Sequence, residues 1–254
     1  MKGENVKVGF LVFDFAPYHV ARFNESMKHM DVVVIDAGES ICAAYSKPDD
    51  YHFPLISVED GDIDSVLEDL GLDCLVCPGW ANRISRVSAQ WGVSRSVPVF
   101  VLSDSHKLNG GRFTPLNLIK RAVIGCFSGA LVAGVLSREY LERLGMSREM
   151  ICEGVDVVDN QYFLSRAAMS RREGLERRPR LALLRPYILC VSRLIEQKNL
   201  SRLISAFARY LKNNEHGALN LVIVGNGPLK SDLDELSRHL DVSDRVHLVG
   251  RCDY

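Results

Sequence analysis

The stretch ILCVSRLIEQKNL, residues 188–200, carries an apolar, β-branched segment straight into Arg193 and Lys198, and then into the start of an amphipathic helix. A short apolar run bounded by polar residues reads as a buried strand. The next segment has helical spacing: in NLSRLISAFARYLKN, 199–213, Leu200, Leu203, Ile204, Phe207 and Leu211 fall on one stripe. LNLVIV, 219–224, is a second strand, closed by the turn GNGP, 225–228. LKSDLDELSRHL, 229–240, sets Leu229, Leu233, Leu236 and Leu240 on one face, and RVHLVG, 245–250, is a third strand. Continuous apolar strands alternating with amphipathic helices predict a parallel sheet, here the β-α-β-α-β first half of a Rossmann-like unit.

The same alternation fills the chain upstream. VKVGFLVF, DVVVIDA, DCLVCPG, VPVFVLS and GALVAG read as strands, and IDSVLEDLG and SREYLERLG as helices between them. In the second of these helices Ser137 is expected to cap the start, with Leu136, Tyr140, Leu141 and Leu144 on one face and Gly145 at the stop. Residues 1–163 are therefore expected to form a doubly wound α/β domain. An Arg-rich stretch, 164–186, reads as a solvated helix and linker, with contact to an anionic surface as the rival. Residues 187–254 form the second, incomplete unit.

Composition narrows the function classes. The 254 residues carry 31 Lys and Arg against 32 Asp and Glu, so no global field draws the chain to nucleic acid. The apolar run at the N-terminus is too short for a signal peptide and is broken by Asp14. The longest uncharged run, 122–137, falls short of the roughly 20 residues of a membrane helix and reads as a helix end followed by a buried strand. A soluble, cytoplasmic chain is expected. Of the seven cysteines, Cys74 and Cys77 form a CxxC, but no second pair or nearby His completes a metal set. Buried thiols in a reducing compartment fit better.

Ligands of open α/β sheets gather at the carboxyl ends of strands, and phosphates favour helix N-termini. Arg193 lies just past the first strand of the second unit, and Asn199 is placed to cap the following helix. Arg193 offers a planar fork to phosphate oxygens and Lys198 a point charge. Glu196 between them leaves a surface ion pair equally open. Gly225 and Gly227 permit positive φ and close backbone approach, yet the third glycine of a dinucleotide fingerprint is missing.

The combination ILCVSRLIEQKNLSRLISAFARYL…LNLVIVGNGPLKSDLDELSRHLDVSDRVHLVG closely resembles the start of the donor domain of family 4 (group 1) glycosyltransferases. LVAGVLSREYLERLGMSREMICEGVDVVDNQYF, PGW at 78–80 and SDSHKLNGGR at 103–112 look like parts of the same family's acceptor domain. The resemblance implies a GT-B fold of two Rossmann-like domains and a retaining enzyme. It would pass a sugar from a nucleoside diphosphate sugar to a hydroxyl acceptor, itself a sugar or lipid-linked. It also implies that Arg193 and Lys198 bind the donor diphosphate, that Gly225 and Gly227 line the donor, and that Arg251 passes the base. His106 is the nearest match to a His that contacts the sugar, and His19 is expected at the acceptor. No cofactor and no metal are expected, since the donor is a substrate and no DxD-type pair stands at a strand end.

The family's donor domain continues with a Glu-x7-Glu segment, and none follows Tyr254. A chain cut within its donor domain is therefore expected, with the first strand of that unit as a raw sheet edge and little or no activity of its own. Two other readings stay open. One is a non-catalytic binding or regulatory protein whose missing half comes from another chain. The other is a GT-B sugar-nucleotide epimerase, against which the SRLIEQKN turn and the VDVVDNQYF segment speak.

Overall fold

The computed structural model describes residues 5–13, 15–38, 51–58, 62–106, 116–177, 186–214 and 219–252. The chain divides into two compact units, Met1–Asn160 and Gln161–Tyr254.

The first unit holds seven strands, β1 Lys7–Val12, β2 Asp31–Asp36, β3 Leu55–Ser57, β4 Cys74–Pro78, β5 Val99–Ser103, β6 Gly129–Val132 and β7 Ile151–Glu153. They form one parallel sheet in the order β3-β2-β1-β4-β5-β6-β7. Five of these strands are the apolar runs of the sequence. The two additions, β3 and β7, are three-residue strands at the edges, too short to show a pattern. Helices α1 Pro17–Ser26, α2 Ile63–Leu70, α3 Arg83–Arg95, α4 Leu116–Ile124 and α5 Val135–Arg143 connect them.

Alternation along the strands divides the core between the two faces. Leu11, Val33 and Ile35 point into the larger cluster, with Ile63 and Leu67 of α2, Ile84 of α3, Ile124 of α4 and Leu141 of α5. Val12, Val32 and Val34 point the other way, into an aromatic cluster with Phe15, Phe23 of α1 and Phe53. Burial on both faces explains why these strands read as unbroken apolar runs.

Helix α5 corrects one expectation. Its cap position is Gly134, and Ser137 sits buried inside the first turn, donating its N–H to the Gly134 carbonyl at 3.0 Å. Leu136 points to solvent, whereas Leu141 and Leu144 are buried. Gly145 does end the helix, with φ +100°.

The second unit opens with α6 Asn160–Arg177, so the first part of the Arg-rich stretch is helical; residues 178–185 lie outside those described. Then come β8 Tyr187–Val191, α7 Leu200–Asn213, β9 Asn220–Val224, α8 Lys230–His239 and β10 Val246–Gly250. The parallel order is β10-β9-β8. Leu200, Ile204 and Phe207 of α7 and Leu233 of α8 pack on Leu221, Ile223 and Val246, as the helical stripes require.

Strand β8 is the expected open edge, pairing with β9 alone among the described residues. Its exposure is far from that of a central strand: Ile188 is 45% and Leu189 55% exposed, while their β9 partners Leu221 and Val222 are at 0% and 3%, and Val191 beyond them is 71% exposed. The apolar sequence of β8 is that of a strand covered on both sides. Among the described residues, no helix is long and apolar enough to cross a membrane.

Candidate functional site

In the second unit the site is a set of turns at the carboxyl ends of the three strands. The first turn leaves β8 at Ser192, whose N–H donates to the Val224 carbonyl at 2.9 Å. Leu194 then drops into the core, 1% exposed, and this anchor turns its neighbour Arg193 outward to solvent. One 3-10 turn, Glu196–Lys198, carries Lys198, also exposed, to the start of α7. Asn199 occupies the cap position, but in the left-handed conformation (φ +50°) and without a side-chain cap bond. Its carbonyl accepts from Arg202 N–H at 3.2 Å. Asn tolerates this backbone better than most residues, which is its physical reason for standing there.

The surface ion pair left open by the sequence is not formed. Among the described residues neither Arg193 nor Lys198 meets a carboxylate within salt-bridge distance, Glu196 included. Two unpaired cations thus stand on one rigid turn at the helix start, where the first backbone N–H groups of α7 add partial positive charge.

The glycines of the second turn have a reason the sequence did not show. Leu194 N–H donates to the Asn226 carbonyl at 3.0 Å, and Leu229 N–H donates back to the Leu194 carbonyl at 3.1 Å. A Cβ on Gly225 would stand 1.9 Å from the Ser192 carbonyl oxygen, and one on Gly227 would stand 2.4 Å from that of Leu194. The close approach is to the protein's own backbone. Gly225 has φ +145°, but Gly227 is not in the positive-φ region, so only its lack of a side chain matters. Gly225 N–H also donates to the Gly250 carbonyl at 2.8 Å, tying in the end of β10, where exposed Arg251 follows. An open depression of about 500 Å³ lies beside this turn, lined by Pro228, Lys230, Ser231, Asp234 and Leu248. The structure therefore gathers Arg193, Lys198, Gly225, Gly227 and Arg251 onto one sheet edge.

In the first unit the strand order reverses between β1 and β4, and in doubly wound sheets ligands enter at that switch point. His19, in the first turn of α1, belongs to the β1 side. The β4 side supplies Gly79, with φ +72°, and Trp80. His19 is half-buried, and its Nδ1 accepts the Ala16 N–H at 3.1 Å. Burial, and then the nearby Arg22 charge, lower its pKa from 6.5 to about 4, against a smaller opposing pull from Asp36.

His106 follows β5, one strand further along the edge, with β4 between it and β1. Two strand spacings, about 9–10 Å, therefore separate the β1 and β5 positions, and the two histidines occupy different places. The Nδ1 of His106 is buried without a hydrogen-bond partner among the described residues. Residues 107–112 of the SDSHKLNGGR motif lie outside the described residues.

Two groups at this edge escaped the sequence reading. Asp36, 4% exposed at the carboxyl end of β2, accepts the Gly38 N–H at 3.2 Å. An acidic residue closing the apolar run VVVID was the available signal. Lys120 of α4 lies 5.9 Å from the Trp80 ring centre and donates to Tyr140 Oη at 3.2 Å. No sequence spacing links those three positions.

The CxxC lies on β4. Cys77 is fully buried, and burial pushes its thiol up to about 12; Cys74 is raised as well. Three residues of extended strand separate the pair by about 10 Å, beyond disulfide reach.

Comparison with known proteins bears on both units. Residues 173–254 match the family described as glycosyl transferases group 1. The Streptococcus pneumoniae α-monoglucosyldiacylglycerol synthase is 36% identical over 63 residues, a match covering 25% of this chain and 14% of that relative's length. Among solved structures, a glycosyltransferase from Rickettsia africae aligns with a TM-score of 0.70 at 13% identity, over 98% of this chain and 69% of that one. Anabaena HepE, solved with UDP-glucose, aligns at 0.65 and 14%, over 97% and 69%. The UDP-N-acetylglucosamine 2-epimerase of Rickettsia bellii aligns at 0.60 and 17%, over 99% and 70%. Identities this low speak for the fold alone. Residues 173–254 thus match the glycosyl transferases group 1 family, and the chain has the α/β fold of the GT-B glycosyltransferases.

Proposed function

We propose that the protein serves retaining glycosyl transfer, with a nucleoside diphosphate sugar as donor and a hydroxyl group as acceptor. One observation carries the reading: Arg193 and Lys198 stand exposed, without carboxylate partners among the described residues, on a braced turn at the carboxyl end of β8. The Arg193 fork and the Lys198 charge suit the two phosphates, and neutralise charge as the nucleoside diphosphate departs. Arg251, at the end of β10, is assigned to the base side. His19 and Trp80 at the first unit's switch point are assigned to the acceptor, and His106 to the transferred sugar.

UDP is the natural probe, because HepE was solved with UDP-glucose. Calorimetric titration should show Arg193→Ala and Lys198→Ala each weakening UDP binding by about 1.5–3 kcal/mol, the range for a lost charge-assisted hydrogen bond. Unchanged affinity in both variants would sink the reading. The epimerase alternative shares the fold, and the family match over residues 173–254 favours transfer. Conversion of UDP-N-acetylglucosamine to its 2-epimer by the purified protein would reverse that preference.

A further inference from the structure

We propose that His19 is a hydrogen-bond donor in the first unit's ligand site, held by the fold in the tautomer that carries its proton on Nε2, and that it accepts no proton from the ligand. The proposal rests on the acceptor reading above and assigns the polarity of that contact.

The lock begins in the backbone. Ala16 is fully buried, extended at φ −111° and followed by Pro17 at the head of α1. Its N–H finds its partner in His19 Nδ1 at 3.1 Å. A buried amide needs an acceptor, so Nδ1 must present its lone pair. In a neutral imidazole the proton then resides on Nε2.

The ring is also held in plane. Phe15 and Phe23 lie at 6° and 5° to the imidazole, with centroids 6.1 Å and 5.5 Å away. Both are buried, and Tyr18 closes to 4.2 Å from a tilted angle. Flipping the ring would place a carbon where Ala16 needs an acceptor. Arg22, on the same helix, opposes a second proton; Asp36, from β2, favours one and is the weaker influence. Nε2 makes no hydrogen bond among the described residues.

His19 therefore presents an N–H, and no lone pair, at the switch point. Its complement is an oxygen with a free lone pair: a hydroxyl, carbonyl or phosphoryl oxygen. The proton of an attacking hydroxyl has to leave elsewhere, because both nitrogens of His19 are committed.

The test is a two-bond proton–nitrogen correlation spectrum of the protein labelled with ¹⁵N-histidine. The expected result is a His19 signal with Nε2 protonated and Nδ1 bare, unchanged from about pH 8 to about pH 5. A proton on Nδ1, or titration near the ordinary histidine value of 6.5, overturns the proposal. A second arm follows UDP release from UDP-glucose. His19→Gln, whose amide N–H reaches the same region, should turn over about tenfold faster than His19→Glu, which offers no donor there, the worth of one hydrogen bond. A Glu variant as active as the Gln variant overturns the donor assignment. Turnover of UDP-glucose and UDP binding by Arg193 and Lys198 bear on the transferase reading, whereas the labelled-histidine measurement needs no substrate and decides the tautomer whether or not the chain is active.

Discussion

Gly225 lies so close to Ser192 that a Cβ on the glycine would stand 1.9 Å from the serine carbonyl oxygen. The turn bearing Arg193 is thus laid directly on the glycine turn, with the Leu194–Asn226 and Leu229–Leu194 hydrogen bonds holding it there. The glycines shape the phosphate candidates by letting two backbones meet.

Gly225→Ala combines that collision with a φ of +145°, and should destabilise the protein by about 2–3 kcal/mol. Gly71→Ala meets positive φ but open space, and should cost only about 1 kcal/mol. Urea denaturation of the two variants checks the ordering. Equal losses would show that the backbone contact is dispensable.

His19 adds a pH dependence of known sign. Its pKa is lower in the folded protein than in the unfolded chain, so between about 4 and 6.5 the unfolded state binds more protons. Stability contributed by neutral His19 is complete above 6.5 and falls as pH drops toward 4, by about 2–3 kcal/mol. His19→Gln should flatten this part of the curve. An unchanged slope in the variant would assign the effect to another group.

The thiols should separate by accessibility. Exposed Cys152 and Cys252 should react with iodoacetamide in the native protein, while Cys77, buried and pushed up to about 12, should react only on unfolding. Peptide mapping after brief labelling reads this directly. Rapid native modification of Cys77 would reopen a redox role for the CxxC.

Strand β8 should behave as a surface despite its composition. Leu189→Lys with Val191→Lys should change stability by less than about 1 kcal/mol in denaturant titrations, two exposed positions each contributing little. Leu221→Ala on β9, fully buried, should cost about 2–5 kcal/mol. A large loss from the lysine pair would mean that β8 is covered in solution.

Legibility followed element length and periodicity. The stripes of α7 and α8 and the long central strands were readable because burial forces a repeat onto sequence. Strands β3 and β7, three residues each, are too short to carry one. Ser137 misled because a serine can cap a helix or sit inside its first turn, and Gly134, three residues earlier and directly before Val135, took the cap. At the candidate site, Arg193 and Lys198 stood out as charges interrupting an apolar run. Asp36 carried a weaker version of the same signal, and the Trp80–Lys120–Tyr140 group carried none.

By itself the sequence determined the alternation of strands and helices, the division into two Rossmann-like units, and the family likeness of residues 173–254, since all three are written as local pattern. Only the tertiary structure decided that Gly225 and Gly227 answer to Ser192 and Leu194, that Glu196 pairs with neither Arg193 nor Lys198, and that Ala16 and two phenylalanines set the polarity of His19. Those outcomes depend on which backbone and ring surfaces meet across the fold, and no spacing along the chain encodes such a meeting.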